Sequence, residues 1–284
     1  MADIFEVGIV GSGIMGAGLA EVAARAGHDV VVRSRTSEGA EGVLSTITAG
    51  LERQVAKERL TADQRDEIVG RIRVTDHLGQ LANCDLVIES VVEDLEIKQA
   101  LFAELEQVVK PGGMLATNTS TLPVVELAMA TQRPELVCGI HFFNPAPMMK
   151  LVEIVRPVTA DDDTIGRAVA FAERCGKDAV VVEDRAGFIV NSLLFPYLNN
   201  AIRLCDAGTA SMESIDTAMQ GGCGFPMGPF ALLDLVGLDT SLAILDALYD
   251  EFRDPNYAAM PRLRRMVAAG QLGRKSGQGF FSYS

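Results

Sequence analysis

Residues 7–25 read VGIVGSGIMGAGLAEVAAR and form the stretch that decides the fold. A short apolar β-run leads into a glycine-rich turn, and a helix-favouring segment follows it. The turn fits the pattern G-x-G-x-x-G through Gly11, Gly13, Ile14, Met15 and Gly16. The first glycine permits the tight turn, the second lets the backbone approach a pyrophosphate, and the third allows close helix–strand packing. Because the helix N-terminus also faces the anion, this unit predicts a dinucleotide site.

Short β-rich runs alternate with longer amphipathic stretches through the first two thirds of the chain. The runs are Val7–Val10, Val30–Val32, Leu86–Ile88, Met114–Ala116, Val137–Ile140, Leu151–Val155 and Ala179–Val182. Repeated strand–helix–strand order predicts an α/β fold with a parallel, doubly wound sheet of Rossmann type. A charged segment between Gly39 and Arg73 interrupts the alternation, and we expect it to form a helical hairpin that stands off the sheet.

Strand signals stop after residues 184–187, and helical segments punctuated by glycine and proline continue to the end. We therefore predict a dinucleotide-binding Rossmann domain over residues 1–185. A smaller all-α domain is predicted over residues 186–284.

Composition and charge exclude several classes of partner. The formal net charge of −13 argues against nucleic acid and anionic membranes, which require a basic surface. The five cysteines are scattered, odd in number and never spaced C-x-x-C, so neither a disulfide framework nor a metal site is predicted. Residues 1–6 are acidic where a secretory signal would be basic, and no later segment is apolar for long enough to span a bilayer. We expect a cytoplasmic protein.

The residues after the second predicted strand bear on the choice of cofactor. NAD-binding sites of this type place a carboxylate here to bind the adenosine ribose. This chain has Arg33, Ser34 and Arg35 instead. Guanidinium groups form charge-assisted bonds to phosphate, so the segment favours NADP, with its 2′-phosphate, over NAD. Two other interpretations stay open: the arginines are solvated loop charges, or one stacks on adenine while either cofactor binds.

Polar residues that a purely structural interpretation does not explain follow three of the predicted strands or interrupt them. Residues 117–121, TNTST, follow one strand, and His141 follows another. His141 is the best candidate for general acid–base chemistry among the three histidines. Glu153 interrupts an apolar strand, where a buried carboxylate needs a partner. A histidine would satisfy it, and the sequence alone leaves open whether that histidine is His141.

Several motifs together resemble one family. They are Asn118-Thr119-Ser120, His141-Phe-Phe-Asn-Pro-Ala-Pro, Lys150-Leu-Val-Glu153, Gly187-Phe-Ile-Val-Asn191, Pro226-Met-Gly-Pro, and Leu272-Gly-Arg-Lys-Ser-Gly-Gln-Gly-Phe. In this order, and over nearly the whole chain, they resemble the L-3-hydroxyacyl-CoA dehydrogenase family, short-chain 3-hydroxybutyryl-CoA type. The resemblance implies that a (3S)-3-hydroxyacyl thioester is oxidised to the 3-ketoacyl thioester, or the reverse.

The resemblance also implies roles for individual residues. His141 would be the base that takes the hydroxyl proton, and Glu153 would orient it. Ser120 and Asn191 would hydrogen-bond the reacting oxygen or the histidine, and donors aimed at an oxygen that gains negative charge lower the barrier. Glu93, Lys98 and Asn118 would line the cofactor groove.

Arg53 and Lys57 match family positions that contact CoA. They are spaced i, i+4 and so share a helix face, where they would form a basic patch on an acidic chain. Ordinary surface charge explains them nearly as well. The sequence departs from the family pattern at Ser34, where an aspartate is usual, and at Ser192, where an arginine is common.

Two alternatives to the acyl-CoA dehydrogenase remain. A hydroxyacyl group on acyl carrier protein would suit the same basic patch, and a non-catalytic dinucleotide-binding protein would need no base. In the family, the helical domain binds substrate and forms a homodimer. An apolar set fits that interface or an internal core equally well: Phe230, Leu232, Leu233, Leu235, Val236, Leu238, Leu242 and Leu245.

Overall fold

The computed structural model describes residues 4–283. Contacts divide the chain into two units, the first ending at Asp184 and the second beginning at Arg185. The predicted class is confirmed, because a mostly parallel Rossmann-type sheet with helices is followed by a helical unit. No helix among the described residues is long and apolar enough to cross a membrane.

The first unit is built on an eight-stranded sheet. Its strands are β1 (Glu6–Val10), β2 (Asp29–Arg33), β3 (Ile72–Thr75), β4 (Leu86–Glu89), β5 (Met114–Thr117), β6 (Val137–Phe142), β7 (Leu151–Arg156) and β8 (Asp178–Glu183). They lie in the order β3-β2-β1-β4-β5-β6-β7-β8. The order reverses direction beside β1, and at such a switch point the carboxyl ends of the strands leave a crevice for a ligand.

Helices connect these strands along the chain. They are α1 (Ile14–Arg25), α2 (Ser37–Ala56), α3 (Ala62–Gly70), α4 (Leu95–Val108), α5 (Val124–Ala128) and α6 (Asp162–Arg174). The predicted excursion forms two helices, α2 and α3, as expected. It does not stand off the sheet along its whole length, because Val43, Ile47, Leu51 and Ile68 are buried in the same core cluster as the strands. The excursion also ends in an additional strand that was not predicted. That strand, β3, is four residues long, contains Arg73 and pairs only with β2. A short edge strand with a charged residue lacks the apolar run by which strands are recognised.

The sheet is mostly parallel, as predicted, and departs from that arrangement at one pair of strands. β6 and β7 are antiparallel, and β8 is parallel to β7, so the last two strands run opposite to the first six. Only residues 143–150 connect β6 to β7, and they contain no helix. A parallel connection needs a crossover of about a dozen residues or more, so this loop can join only antiparallel strands.

The second unit contains five helices within the described residues. They are α7 (Val190–Asp206), α8 (Met212–Cys223), α9 (Pro229–Val236), α10 (Leu238–Phe252) and α11 (Pro261–Ala268). All residues of the apolar set named in the sequence analysis belong to this unit, and most of them are buried or partly buried in its core. Phe230, Leu233, Leu238 and Leu245 are buried in its core, and Leu235 is half exposed. In a single chain the set therefore serves mainly as an internal core.

Two buried aspartates explain the glycine motifs of the second unit. Asp216 accepts hydrogen bonds from the backbone N–H groups that begin α9, and a Cβ on Gly228 would lie 2.3 Å from the side chain of Asp216. Asp234 likewise accepts from the backbone of Phe280, and a Cβ on Gly279 would meet its carboxylate at 2.0 Å. These motifs hold the helices and the C-terminal segment together.

Candidate functional site

The glycine turn lies at the carboxyl end of β1, with two of its glycines packed against backbone. Gly11 has φ +135°, and a Cβ there would lie 2.2 Å from the carbonyl oxygen of Ser90. A Cβ on Gly16 would lie 2.1 Å from the carbonyl oxygen of Gly11. Gly13 differs, because a Cβ there would meet nothing within 4 Å. Its backbone therefore borders open space at the mouth of the turn.

The N-terminus of α1 opens onto the same space. Its N-cap residue is Gly13, no side chain caps the helix, and its first turn contains no acidic residue. Ile14 is 79% exposed, and Met15 packs against the core. The first N–H groups of a helix lack partners within the helix and carry its positive dipole end. The residues present thus fit the pyrophosphate of a dinucleotide.

The end of β2 lies directly beside this turn. The N–H of Gly11 donates to the carbonyl of Arg33 at 3.0 Å, and the buried Ser34 hydroxyl donates to the Ser12 hydroxyl at 3.0 Å. The Nε atom of Arg33 is buried and has no hydrogen-bond partner among the described residues, while Arg35 is exposed. Arg33, Ser34 and Arg35 therefore follow β2 beside the glycine turn, and none of the three is a carboxylate.

A buried ion-pair network lies beyond the turn, at the end of β4. Lys98 is 1% exposed, and its Nζ lies 2.8 and 3.0 Å from the carboxylate oxygens of Glu89 and 3.0 Å from Oε2 of Glu93. Burial alone would raise the pKa of Glu93. The Lys98 ammonium and hydrogen bonds from Thr119 and Ser120 outweigh burial, and they hold the pKa of this carboxyl below its usual range.

The polar segment after β5 joins this network to the neighbouring strand. The N–H of Ser120 donates to Oε1 of Glu93 at 2.9 Å, and its hydroxyl lies 3.2 Å from Nε2 of His141. Asn118 is half-buried, and its Oδ1 accepts from the N–H of Phe142 at 2.9 Å. The segment therefore spans the ends of β4, β5 and β6.

His141 and Glu153 face each other across the antiparallel pair β6–β7, where the strand register sets them opposite one another. Nδ1 of His141 lies 2.8 Å from Oε2 of Glu153, and both side chains are buried. A carboxylate only accepts hydrogen bonds, so the neutral imidazole that pairs with it is the tautomer with its proton on Nδ1 and its lone pair on Nε2. The Ser120 hydroxyl lies next to Nε2. This arrangement can take a proton at Nε2 and stabilise the resulting imidazolium.

The loop that follows His141 is held by a lysine that the sequence analysis did not identify. Nζ of Lys177 donates to the carbonyls of Ala146 at 2.6 Å and Met149 at 2.8 Å. Burial lowers the pKa of Lys177. The loop that joins β6 to β7 is thereby fixed near the His141–Glu153 pair.

The remaining predicted residues lie apart along the chain from this cluster. Arg53 is exposed in the last turn of α2, and Lys57 is exposed at the C-cap of that helix. Asn191 is buried near the start of α7 in the second unit. Residues 4–283 contain no group of three or more His, Cys, Asp or Glu side chains that could hold a metal ion.

Glu89 was not expected from the sequence to belong to the site, and Thr117 and Thr119 were expected only as members of the polar segment 117–121. Glu89 accepts from the N–H of Val91 at 2.6 Å and from the Thr117 hydroxyl at 2.7 Å. Thr119 donates its hydroxyl to Glu93. The signal for Glu89 was available, because it closes the apolar run Leu86-Val87-Ile88 in the same way that Glu153 interrupts its own strand.

Comparison with known proteins gives two family models that together span most of the chain. Residues 6–185 match the model for the 3-hydroxyacyl-CoA dehydrogenase NAD binding domain. Residues 187–283 match the model for the C-terminal domain of the same enzymes.

Individual relatives agree with these matches over full length. The chain is 47% identical to a 3-hydroxybutyryl-CoA dehydrogenase of Mycobacterium tuberculosis, with 100% of both sequences covered. The crystal structure of the (S)-3-hydroxybutyryl-CoA dehydrogenase from Ralstonia eutropha superposes with a TM-score of 0.97 at 38% identity, covering 99% of this chain and 100% of that one. The crystal structure of FadB2 from M. tuberculosis has a TM-score of 0.97 at 46% identity and covers 100% of both chains.

Proposed function

The chain belongs to the 3-hydroxyacyl-CoA dehydrogenase family, and we propose that it interconverts (3S)-3-hydroxybutyryl-CoA and acetoacetyl-CoA. One observation carries the proposal: the hydroxyl of Ser120, the imidazole of His141 and the carboxylate of Glu153 form a continuous hydrogen-bonded line. The names of the full-length relatives support the substrate.

The glycine turn and its neighbours would hold the cofactor. Gly11, Gly13 and Gly16 shape the pyrophosphate site, Ile14 and Met15 begin the helix that faces it, and Asn118 and Glu93 border the groove farther along the sheet edge. When bound, a nicotinamide dinucleotide supplies the hydride acceptor for oxidation and the hydride donor for reduction.

The protein's own residues handle the proton. In the oxidative direction, Nε2 of His141 takes the proton of the substrate 3-hydroxyl, and Glu153 stabilises the imidazolium that forms. In the reductive direction, the same imidazolium returns the proton to the developing alkoxide at C3. Ser120 donates a hydrogen bond to that oxygen. As the family resemblance implies, Asn191 would hydrogen-bond the same oxygen or the histidine. Donors aimed at a developing oxyanion contribute several kcal/mol to such steps, about 3–4 for one good donor.

NADP is the preferred cofactor in this proposal. Arg33 and Arg35 flank the position that faces the adenosine ribose, Ser34 replaces the carboxylate that would repel a 2′-phosphate, and the Nε atom of Arg33 has no partner among the described residues. A phosphate bound between the two guanidinium groups would satisfy both. NAD is then accepted more weakly.

The substrate carrier and the assembly complete the proposal. Exposed Arg53 and Lys57 would meet the phosphates of CoA.

The first unit is the dinucleotide-binding domain, and the second is the substrate and dimerisation domain. On α7, Leu193 and Leu204 are 71% and 45% exposed, and their spacing places them on one helix face. That face supports a homodimer.

The cysteines bear on the compartment. All five are free thiols, which supports a reducing compartment such as the cytoplasm.

Steady-state assays test this function directly. Oxidation of NADPH and NADH is followed with a ladder of short 3-ketoacyl-CoA substrates. Turnover that is greatest with acetoacetyl-CoA and NADPH supports the whole proposal. Absence of turnover with every substrate and both cofactors, in correctly folded protein, overturns it.

A further inference from the structure

We propose that Glu89 is a positioning residue for the reaction: acting through Lys98 and Glu93, it fixes Ser120 against Nε2 of His141. The inference rests on the proposed function, because it assigns a role relative to Ser120 and His141. Glu89 belongs neither to the glycine turn nor to the His141–Glu153 pair, so neither of them accounts for its burial in the site.

Glu89 is a fully buried carboxylate with an unusually complete set of partners. It is 0% exposed at the end of β4, and it accepts hydrogen bonds from Nζ of Lys98, the N–H of Val91 and the hydroxyl of Thr117. A buried charge is tolerated only when it is paired and hydrogen-bonded. The site therefore holds the Glu89 carboxylate in one orientation.

Lys98 connects Glu89 to Glu93 through its ammonium group. An ammonium group has three N–H donors, and three carboxylate oxygens lie within 3.0 Å of Nζ, two from Glu89 and one from Glu93. All three donors are thereby engaged inside the protein. The geometry supports a role for Lys98 in holding Glu93 rather than in direct contact with a ligand.

Glu93 in turn fixes the backbone of the polar segment. Lys98 holds one carboxylate oxygen of Glu93, and the other accepts from the N–H of Ser120 at 2.9 Å and from the hydroxyl of Thr119. A second link runs from Glu89 through the Thr117 hydroxyl, which accepts from the N–H of Thr119 at 3.1 Å. The first link reaches Ser120 itself and its neighbour Thr119, and the second link reaches Thr119.

The 3.2 Å contact between the Ser120 hydroxyl and Nε2 of His141 depends on where that backbone lies. Small displacements of a positioned catalytic group cost large factors in rate. Loss of Glu89 should therefore lower kcat with little change in the KM for the acyl-CoA, because Glu89 touches no substrate.

A double-mutant cycle between Glu89→Gln and Ser120→Ala tests this coupling. We expect Glu89→Gln to lower kcat for acetoacetyl-CoA reduction about tenfold in the wild-type background and less than about twofold in the Ser120→Ala background. A merely structural role would lower kcat by the same factor in both backgrounds. Equal factors would overturn the inference.

A second variant avoids any change of charge. Thr117→Val keeps Glu89, Lys98 and Glu93 intact and removes only the hydroxyl that links Glu89 to the N–H of Thr119. It should show the same non-additivity with Ser120→Ala, to a smaller extent. If Glu89→Gln fails to fold, the cycle between Thr117→Val and Ser120→Ala tests the inference alone. Additive effects of these two substitutions on kcat would then contradict it.

Glu106→Gln is the matched control. Glu106 is a carboxylate with 8% of its side chain exposed, and it pairs with Arg133 in the same unit. Among residues 4–283, no hydrogen bond connects it to Ser120. Its effect on kcat should be additive with that of Ser120→Ala. If the wild-type protein has no turnover, the proposed function fails; if it turns over and the Glu89 cycle is additive, only this inference fails.

Discussion

Nδ1 of His141 lies 2.8 Å from Oε2 of Glu153 because the two residues are register partners on the only antiparallel strand pair of the described sheet. The register of this pair thus brings the Glu153 carboxylate to Nδ1 and orients the imidazole, and Nε2 lies 3.2 Å from the Ser120 hydroxyl.

Glu153→Gln should abolish most of the activity without unfolding the protein. A glutamine can donate a hydrogen bond to Nδ1, which moves the imidazole proton to Nε2 and removes the base. We expect kcat to fall about 10³-fold or more with little change in KM, as wrong tautomers do in related triads. Glu183→Gln, at an exposed end of β8, is the control and should keep wild-type kcat. Near-normal kcat in Glu153→Gln would exclude the orienting role.

Gly13→Ala should separate cofactor binding from folding. An added Cβ meets no protein atom within 4 Å, so the free energy of unfolding should change by less than about 1 kcal/mol. The methyl group would occupy the space of the pyrophosphate, so the Kd for the dinucleotide should rise about tenfold, or by about 1.4 kcal/mol.

Gly11→Ala is the opposite case and serves as the comparison. Its backbone has φ +135°, and the new Cβ would lie 2.2 Å from the Ser90 carbonyl oxygen. We expect a loss of stability of at least about 1–3 kcal/mol in thermal or denaturant unfolding. Unchanged cofactor affinity in Gly13→Ala would remove the turn from the cofactor site.

Arg35→Ala should change cofactor preference. A charge-assisted hydrogen bond contributes about 1.5–3 kcal/mol, so the KM for NADPH should rise about 10- to 100-fold while the KM for NADH stays nearly constant. Ser34→Asp should favour NADH, since its carboxylate can bind the ribose and repels a 2′-phosphate. Exposed Arg59→Ala is the control. If Arg35→Ala raised the KM for NADPH and the KM for NADH equally, a role for Arg35 in binding the 2′-phosphate would be excluded.

Arg53→Ala/Lys57→Ala tests the carrier. The double variant should raise the KM for acetoacetyl-CoA about tenfold and leave unchanged the KM for acetoacetyl-N-acetylcysteamine, which has no phosphates. The truncated thioester is the internal control. An equal rise in both KM values would remove CoA binding from this patch. A large advantage in kcat/KM for acetoacetyl groups on acyl carrier protein would overturn the choice of CoA.

Much of the architecture could be predicted because it follows from patterns of neighbouring residues in the sequence. The glycine turn has a recognisable residue pattern, and seven of the strands contain an apolar run, which Glu153 interrupts in one of them. The edge strand with Arg73 has no such run. The reversal at β7 depends on the length of one loop, and the apolar periodicity of a strand is the same in both directions.

The site was predictable where single residues break a pattern, as Glu153 does in its strand. The pairing of His141 with Glu153 required the strand register, which the sequence alone did not give. Glu89 broke a pattern equally clearly and was passed over, because its partner Lys98 lies on a helix and its effect on Ser120 passes through Glu93. Such a network exists only in the folded arrangement.

His141 is the acid–base group in the proposed function, and one comparison tests this role most directly. Reduction of acetoacetyl-CoA is measured for the wild-type chain and His141→Ala, with NADPH and NADH, alongside the Kd of each cofactor. We predict turnover by the wild type and a kcat lower by about 10²–10⁴-fold in the variant, with cofactor affinity preserved. Absence of wild-type turnover with both cofactors, or an active His141→Ala, would contradict the account.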